Sequence, residues 1–157
     1  VVIGLQEQCI EMYELAMLEN ADIVYCDINM VFSFHQAAWK AAKYDADKIH
    51  FLNNYIASEW TSLRNLLVRK RLFDSNQIKS PEEFPFAEDY HVSTRLMYFA
   101  ERISYLPKAL YNYNRMNESS ALHNFSSDHY DKERKVNLDL IDFFLTKNMQ
   151  DLCAGDY

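Results

Sequence analysis

The chain has 157 residues, 49% hydrophobic and 15% aromatic, with a formal net charge of −7. That is the size and apolar content of one folded domain or part of a larger one. It excludes a disordered chain, and the acidic balance argues against general binding to nucleic acid or an anionic membrane. Its two glycines, Gly4 and Gly155, leave no internal glycine-rich loop to cradle a phosphate, which excludes a P-loop or a dinucleotide fingerprint.

Leu5 to Glu19 reads as a helix with Leu5, Cys9, Met12, Tyr13 and Ala16 on one face. It ends at Asn20-Ala21. Ile23-Val24-Tyr25-Cys26 then reads as a short buried strand, with Asp27 at its C-terminal end. Helix followed closely by strand predicts an α/β unit with a partly parallel sheet. Ile28 to Phe34 continues as extended chain. From His35 to Lys43 the alanines favour helix by propensity, so helix and extended chain both stay open there. Asp45-Ala46-Asp47 spells Asp-x-Asp. No apolar strand leads directly into it and its surroundings are lysine-rich, so it reads as a solvated turn or helix start and not as a cation site. Asp47 to Ser58 reads as helix. The apolar period runs on through Trp60, Leu63 and Leu67, but Leu66-Leu67-Val68 also suits a strand, and a break is expected near Arg64. Arg69-Lys70-Arg71 reads as a solvated edge.

Ser75 to Phe84 is a polar loop leading into Phe84-Pro85-Phe86-Ala87-Glu88-Asp89-Tyr90. Val92, Leu96, Phe99 and Ala100 then repeat at helical spacing and predict an amphipathic helix from Ala87 to Glu101. Asp89 stands three residues before Val92 and shares the edge of that face. A carboxylate there is placed to act as a general base. It also fits an ordinary helix-start acid that complements the macrodipole. Ile103–Leu106 and Ala109–Tyr113 read as two extended segments about Pro107-Lys108. A polar run from Asn114 to Asn124 follows, and Ser126 to Lys147 is a final amphipathic helix whose Val136, Leu140, Phe143 and Phe144 need a partner, the core or a second subunit. Cys9, Cys26 and Cys153 show no zinc spacing, and Cys9 and Cys26 sit in apolar patterns, the mark of reduced, buried thiols. No signal peptide is expected, and the sequence has no run of about 18 apolar residues.

Several of these pieces, in their order, form a pattern: Asn20–Asp27, Asn65–Phe73, Glu88-Asp89, Arg102–Pro107 with Ala109–Arg115, and Asn117-Glu118-Ser119-Ser120. Together they resemble the second half of bacterial family 2 glycosyltransferases, which have the GT-A fold, over roughly residues 9–145. The resemblance implies the C-terminal part of a mixed sheet flanked by helices, with the N-terminal nucleotide-binding half lying outside this chain. It implies an inverting transfer of a sugar from a nucleotide-sugar donor to a glycan or lipid-linked acceptor. Asp89 carries over as the base and Glu88 as its supporting neighbour. Substrate contacts carry over to Asn65, Arg115, Ser119 and Ser120, and a metal contact to His123. The Mg or Mn of such an enzyme would have its main ligands outside this chain, so the isolated chain is expected to be inactive. Where the family has Trp-Asn-Lys, this chain has Arg64-Asn65-Leu66, which removes an aromatic wall and a cation and points to a different acceptor preference. A cytoplasmic parent enzyme, at most peripheral to the inner membrane and open to homodimer formation, completes the expectation. Two other classes compete. A non-catalytic interaction module fits the broad final helix and the many tyrosines. A metal-dependent hydrolase using Glu88, Asp89 and His91 is disfavoured, because three ligands so close at a helix start point in different directions.

Overall fold

A computed structural model describes residues 5–41, 44, 47–58, 61–81, 87–116 and 127–149. In chain order the elements are α1 (Leu5–Glu19), β1 (Ile23–Val31), β2 (Gln36–Trp39), α2 (Lys48–Ile56), β3 (Leu66–Val68), α3 (Lys70–Asn76), α4 (Glu88–Phe99), β4 (Ile103–Asn114) and α5 (Ser127–Thr146). The fold is mixed α/β, as expected: a four-stranded sheet flanked by helices, with an amphipathic helix last.

The sheet is organised around β1, whose β-branched and aromatic residues suit a buried pleat. β4 runs parallel along its whole length, from Ile23↔Ile103 to Val31↔Asn114. Both other strands are antiparallel and must therefore share the opposite edge. β3 pairs with the first half (Ile23↔Val68 to Tyr25↔Leu66) and β2 with the second (Ile28↔Trp39 to Val31↔Gln36). Between them, beside Cys26 and Asp27, the edge has a seam.

Side chains alternate across a strand, so β1 feeds two cores. Ile23 and Tyr25 join Phe51, Leu52, Leu96, Met97, Val136 and Phe144 on the side of α2, α4 and α5. Val24 and Cys26 meet Met12, Ala21 and Leu110 on the side of α1. Burial pushes the Cys26 thiol up to about 11, as befits an inert core cysteine. α5 closes the larger core against α4: Phe143 meets the Tyr98 ring edge-on at 5.2 Å, and Asp139 receives His91 Nε2 at 2.8 Å together with the Arg95 guanidinium. The partner of the final helix is thus the core.

Several expectations need correction. Asp27 does not end the strand; β1 continues through it to Val31. Of the two conformations open to the alanine-rich run after His35, the chain takes the strand: β2 forms because pairing to β1 outweighs helix propensity. The two segments about Pro107-Lys108 form one strand, β4, with its register shifts on either side of Asp27; the proline sits at the irregularity, where its missing N–H does least harm. On α1 the buried side is turned from the predicted one. Gln8 and Met12 are buried, whereas Cys9 and Tyr13 are exposed. Gln8 turns inward because its amide donates to the Arg64 carbonyl at 3.1 Å, which ties the helix to the approach of β3. Arg69 and Arg71 are more than a solvated edge: both face the buried Asp22. The break near Arg64 and the strand at Leu66–Val68 are as expected. Asp47 is the N-cap of α2, accepting from the backbone of Ile49 and His50, in keeping with the solvated helix start; Asp45 lies outside the described residues.

Candidate functional site

The seam between β2 and β3 is the place where ligand chemistry gathers. Asn65, just before β3, spans it. Its carbonyl accepts from Cys26 N at 3.1 Å, and its Nδ2 donates to the Cys26 carbonyl at 2.8 Å. A small hollow of about 20 Å³, roughly the room one water needs, lies against it. Trp39 and Ala41 line it from the β2 side, Asn65 and Leu66 from the β3 side, Tyr55 and Ser58 from the end of α2, and Tyr25 from β1. Two of its wall groups, the Tyr55 hydroxyl and Asn65 Oδ1, are buried and meet no hydrogen-bond partner of good geometry. Tyr55 is 9% exposed and Asn65 4%. Buried polar atoms without partners are rare, because each costs about 1–3 kcal/mol. Two of them on residues around one hollow single it out as the candidate site.

Asp89 is not in the lining of this hollow but lies near one wall of it, close enough for its charge to act on Tyr55. It occupies the first turn of α4, half-buried, with Glu88 half-buried next to it. The Ser62 hydroxyl donates to Asp89 Oδ2 at the long distance of 3.5 Å and accepts from Arg64 N at 3.1 Å. The turn that presents Asn65 to the hollow is therefore the one that touches Asp89. Burial pushes the Tyr55 hydroxyl well above its ordinary pKa, and the Asp89 charge adds to the rise while Ser93 opposes it. Tyr55 is thus a neutral donor at working pH. Asp89 forms no salt bridge among the described residues.

Asp27 sits behind the seam. Its Oδ1 accepts from Ala41 N at 2.9 Å and from the Tyr105 hydroxyl at 2.7 Å. Tyr105 stacks on Tyr25 at 5.0 Å, and the Tyr25 hydroxyl accepts from Tyr44 N at 2.7 Å. Burial first, and then the bond to Asp27, push Tyr105 up to about 12. The network fixes the chain after β2 over the sheet, and so fixes one wall of the hollow.

Of the residues singled out in the sequence, the structure brings together Asp89, Glu88 and Asn65. Arg115 lies elsewhere. Its amide bonds the Val31 carbonyl at 2.9 Å, four residues past Asp27 and so about 13 Å along the strand. Its guanidinium sits 5.9 Å from the Tyr113 ring centre. Ser119, Ser120 and His123 lie outside the described residues. His91 turns to Asp139 while Asp89 turns to Ser62, so the Glu88, Asp89 and His91 set does not converge. Among the described residues no three His, Cys, Asp or Glu side chains gather as a metal seat. No local pattern in the sequence marks Tyr55, Ser62 or Tyr105 as part of a site. For Tyr25 and Asp27 a signal existed, since strand alternation puts both on one face.

No family model matches the chain, and no curated protein matches it in sequence. Its fold is glycosyltransferase-like. Among solved structures it is similar to S. aureus TarS 1–349 in complex with UDP-GlcNAc, with a TM-score of 0.57 and 16% identity over 86% of this chain and 39% of that one. A second structure of TarS 1–349 matches with a TM-score of 0.52 and 18% identity, over 86% and 37%. The chain thus spans well under half of the TarS structures it resembles. No helix among the described residues is long and apolar enough to cross a membrane.

Proposed function

We propose that this chain is the acceptor side of an inverting glycosyltransferase of the GT-A type, with Asp89 as the catalytic base. The observation that carries the reading is Asp89 lying near the hollow that Tyr55 and Asn65 line, in contact with Ser62 and with its charge felt by Tyr55, in a fold similar to that of TarS. In the reaction, Asp89 takes the proton of an acceptor hydroxyl. The freed oxygen pair attacks the anomeric carbon from the face opposite the leaving group. The bond from that carbon to the nucleotide diphosphate breaks, and its electron pair leaves on the diphosphate oxygen. Tyr55 and Asn65, at the back of the hollow, would meet one hydroxyl of the acceptor by donating to it and accepting from it. Glu88 supports the placement of Asp89 in the first turn.

The UDP-GlcNAc in the TarS complex supports a nucleotide-sugar donor for the whole protein here. A Mg or Mn ion on the diphosphate would be held mainly by residues outside this chain, with His123 as the contact from this side. The acceptor is a glycan or a lipid-linked glycan, and the setting is cytoplasmic.

The test is Asp89→Asn in the full-length protein. Sugar transfer should fall by about 10²–10⁴-fold, the usual contribution of a positioned base, with nucleotide-sugar binding unchanged by calorimetry. Wild-type turnover in that variant refutes the assignment. The rival reading, a non-catalytic interaction module, draws on α1, whose Ile10, Tyr13, Met17 and Leu18 are exposed. It gains if the full-length protein binds no nucleotide sugar.

A further inference from the structure

Beyond the seam, β1 carries Asn29, and its neighbours in register are Ala38 of β2 and Asn112 of β4. By strand alternation this row lies on the same face as Tyr25 and Asp27, one step of about 7 Å past Asp27. The amides are chained. Asn29 Nδ2 donates to Gln36 Oε1 at 3.0 Å and to Asn112 Oδ1 at 2.7 Å. Those two bonds use both Asn29 N–H groups. They leave, along a diagonal across three strands, since Gln36 stands opposite Val31, the NH₂ of Gln36, the carbonyl oxygen of Asn29 and the NH₂ of Asn112: donor, acceptor, donor. Gln36 and Ala38 are exposed, and Asn29 and Asn112 half-buried, so the row meets solvent. Ala38 is too small to cover it. The row itself carries no charge, and Asp27 behind it is already engaged by Ala41 N and Tyr105.

We propose that Asn29, Gln36 and Asn112 form a binding strip for a neutral, hydroxyl-rich chain, the part of a glycan acceptor that trails behind the sugar at the hollow. The inference rests on the glycosyltransferase reading above and adds to it an extended acceptor subsite. The chemistry selects the ligand. Alternating amide donors and acceptors match hydroxyls, which do both, whereas a phosphate or sulfate offers only acceptors and would leave the Asn29 oxygen facing negative charge. A role in stability accounts poorly for the row, since hydrogen bonds between solvent-facing amides exchange with water at little net gain.

The probes are neutral tetrasaccharides of the glucan, chitin and mannan types, titrated into the ¹⁵N-labelled chain, with a heparin tetrasaccharide as the charged control. The side-chain NH₂ signals of Gln36 and Asn112 should shift saturably with at least one neutral probe and not with heparin. The double variant Asn29→Ala/Asn112→Ala should weaken that binding about tenfold, as loss of two such bonds implies, with an unchanged thermal midpoint. Gln36→Ala, at an exposed edge, should weaken it less and serves if the double variant unfolds. No shift with any neutral probe, equal affinity in the variants, or preference for heparin overturns the strip. In the full-length protein the two proposals separate. If Asp89→Asn is inactive while the double variant keeps the wild-type acceptor KM, the strip falls and the base stands. If the double variant raises KM while Asp89→Asn still turns over, the base falls and the strip stands.

Discussion

Asp22 and Asp27 flank the first half of β1, both nearly lost to solvent at 2% and 5% exposure, and the fold treats them in opposite ways. Asp22 is surrounded by charge and backbone. Arg71 Nη2 approaches it to 2.6 Å and Arg69 Nε to 3.7 Å, while Glu101 N and Arg102 N donate at 3.1 and 3.2 Å. One carboxylate thereby joins the start of β1, the entry to α3 and the turn from α4 into β4. Asp27 has neutral donors, Ala41 N and the Tyr105 hydroxyl, and sits where the edge of the sheet parts. The first is a joint whose charge is cancelled on the spot. The second holds Ala41 and, through Tyr105, Tyr25, and so shapes a wall of the hollow. A buried acid matched by arginine reads as architecture; a buried acid matched by hydroxyl and amide at a seam reads as part of a site.

The largest effect expected from this contrast is on stability. Asp22→Ala removes the acceptor of two backbone N–H groups and strands the arginines, and should cost about 3–5 kcal/mol in urea denaturation. Arg71→Ala should cost no more than about 1 kcal/mol, because its side chain is 55% exposed and water replaces much of what it gives. If the two variants cost the same, Asp22 is a surface ion pair and the contrast is wrong.

The joint also sets the acid limit. Burial raises the Asp22 carboxyl, but the bonds from Arg71, Glu101 N and Arg102 N outweigh it and hold the group below its ordinary value of 3.8. Asp139 is lowered too: burial raises it, and Arg95 and His91 outweigh that. A depressed folded value means stabilisation that is complete above about pH 4 and is lost as the pH falls through the folded value. Stability should therefore drop with acid, and the drop should be shallower in Asp22→Asn than in the parent chain. Replacing Asp139, which is more exposed, should flatten it less.

Asp27 should answer differently. Asp27→Ala leaves Ala41 N and the Tyr105 hydroxyl without an acceptor, a loss of about 2 kcal/mol, whereas Asp27→Asn keeps an acceptor oxygen and should lose about 1 kcal/mol or less. In both, Tyr105 should titrate lower than about 12, since the carboxylate that resists its ionisation is gone, though burial keeps it above its ordinary value. NMR titration of the Tyr105 ring checks this. An unmoved Tyr105 would show that the bond to Asp27 does not govern it.

The same contrast explains what the sequence could and could not reveal. Local signals were enough for α1, α4 and α5, whose periodicity runs over three turns or more, and for the Glu88-Asp89 pair at a helix start. They were enough for the break at Arg64, where Leu66-Leu67-Val68 changes the period. They failed where pairing between distant strands decides. Nothing local in Gln36-Ala37-Ala38-Trp39 prefers a strand; it is one because β1 offers an open edge. Asp27 looks like a strand end until Ala41 N and Tyr105 supply its bonds from 14 and 78 residues away. Tyr55 reads as one more core aromatic until the fold sets it on the hollow, beside Ser93 and within reach of the Asp89 charge. The base candidate was legible because helix starts are local; the hollow near it was not, because a seam between strands is made by topology.

The smallest prediction concerns how Asp89 is aimed. The described residues hold four non-glycine positions at positive φ: Asn20, Gln77, Ala87 and Asn148. Asn20, Gln77 and Asn148 follow helices, where a left-handed residue closes the last turn and asparagine tolerates it best. Ala87 is different: it precedes α4, at φ 65 and ψ 20, with no side chain to cap the helix. An alanine there carries about 1–2 kcal/mol of strain, which glycine would relieve. Glycine also gives the unfolded chain more freedom, worth about 0.4–1 kcal/mol. Ala87→Gly should therefore stabilise by about 0.5–1 kcal/mol in urea denaturation. Ala87 also sets the angle at which α4 presents Glu88 and Asp89, so the more flexible glycine should lower kcat in the full-length protein while leaving KM for the donor alone. A variant that gains stability and keeps its full kcat would mean that the strained entry does not aim the carboxylate, and that the hollow alone places the acceptor.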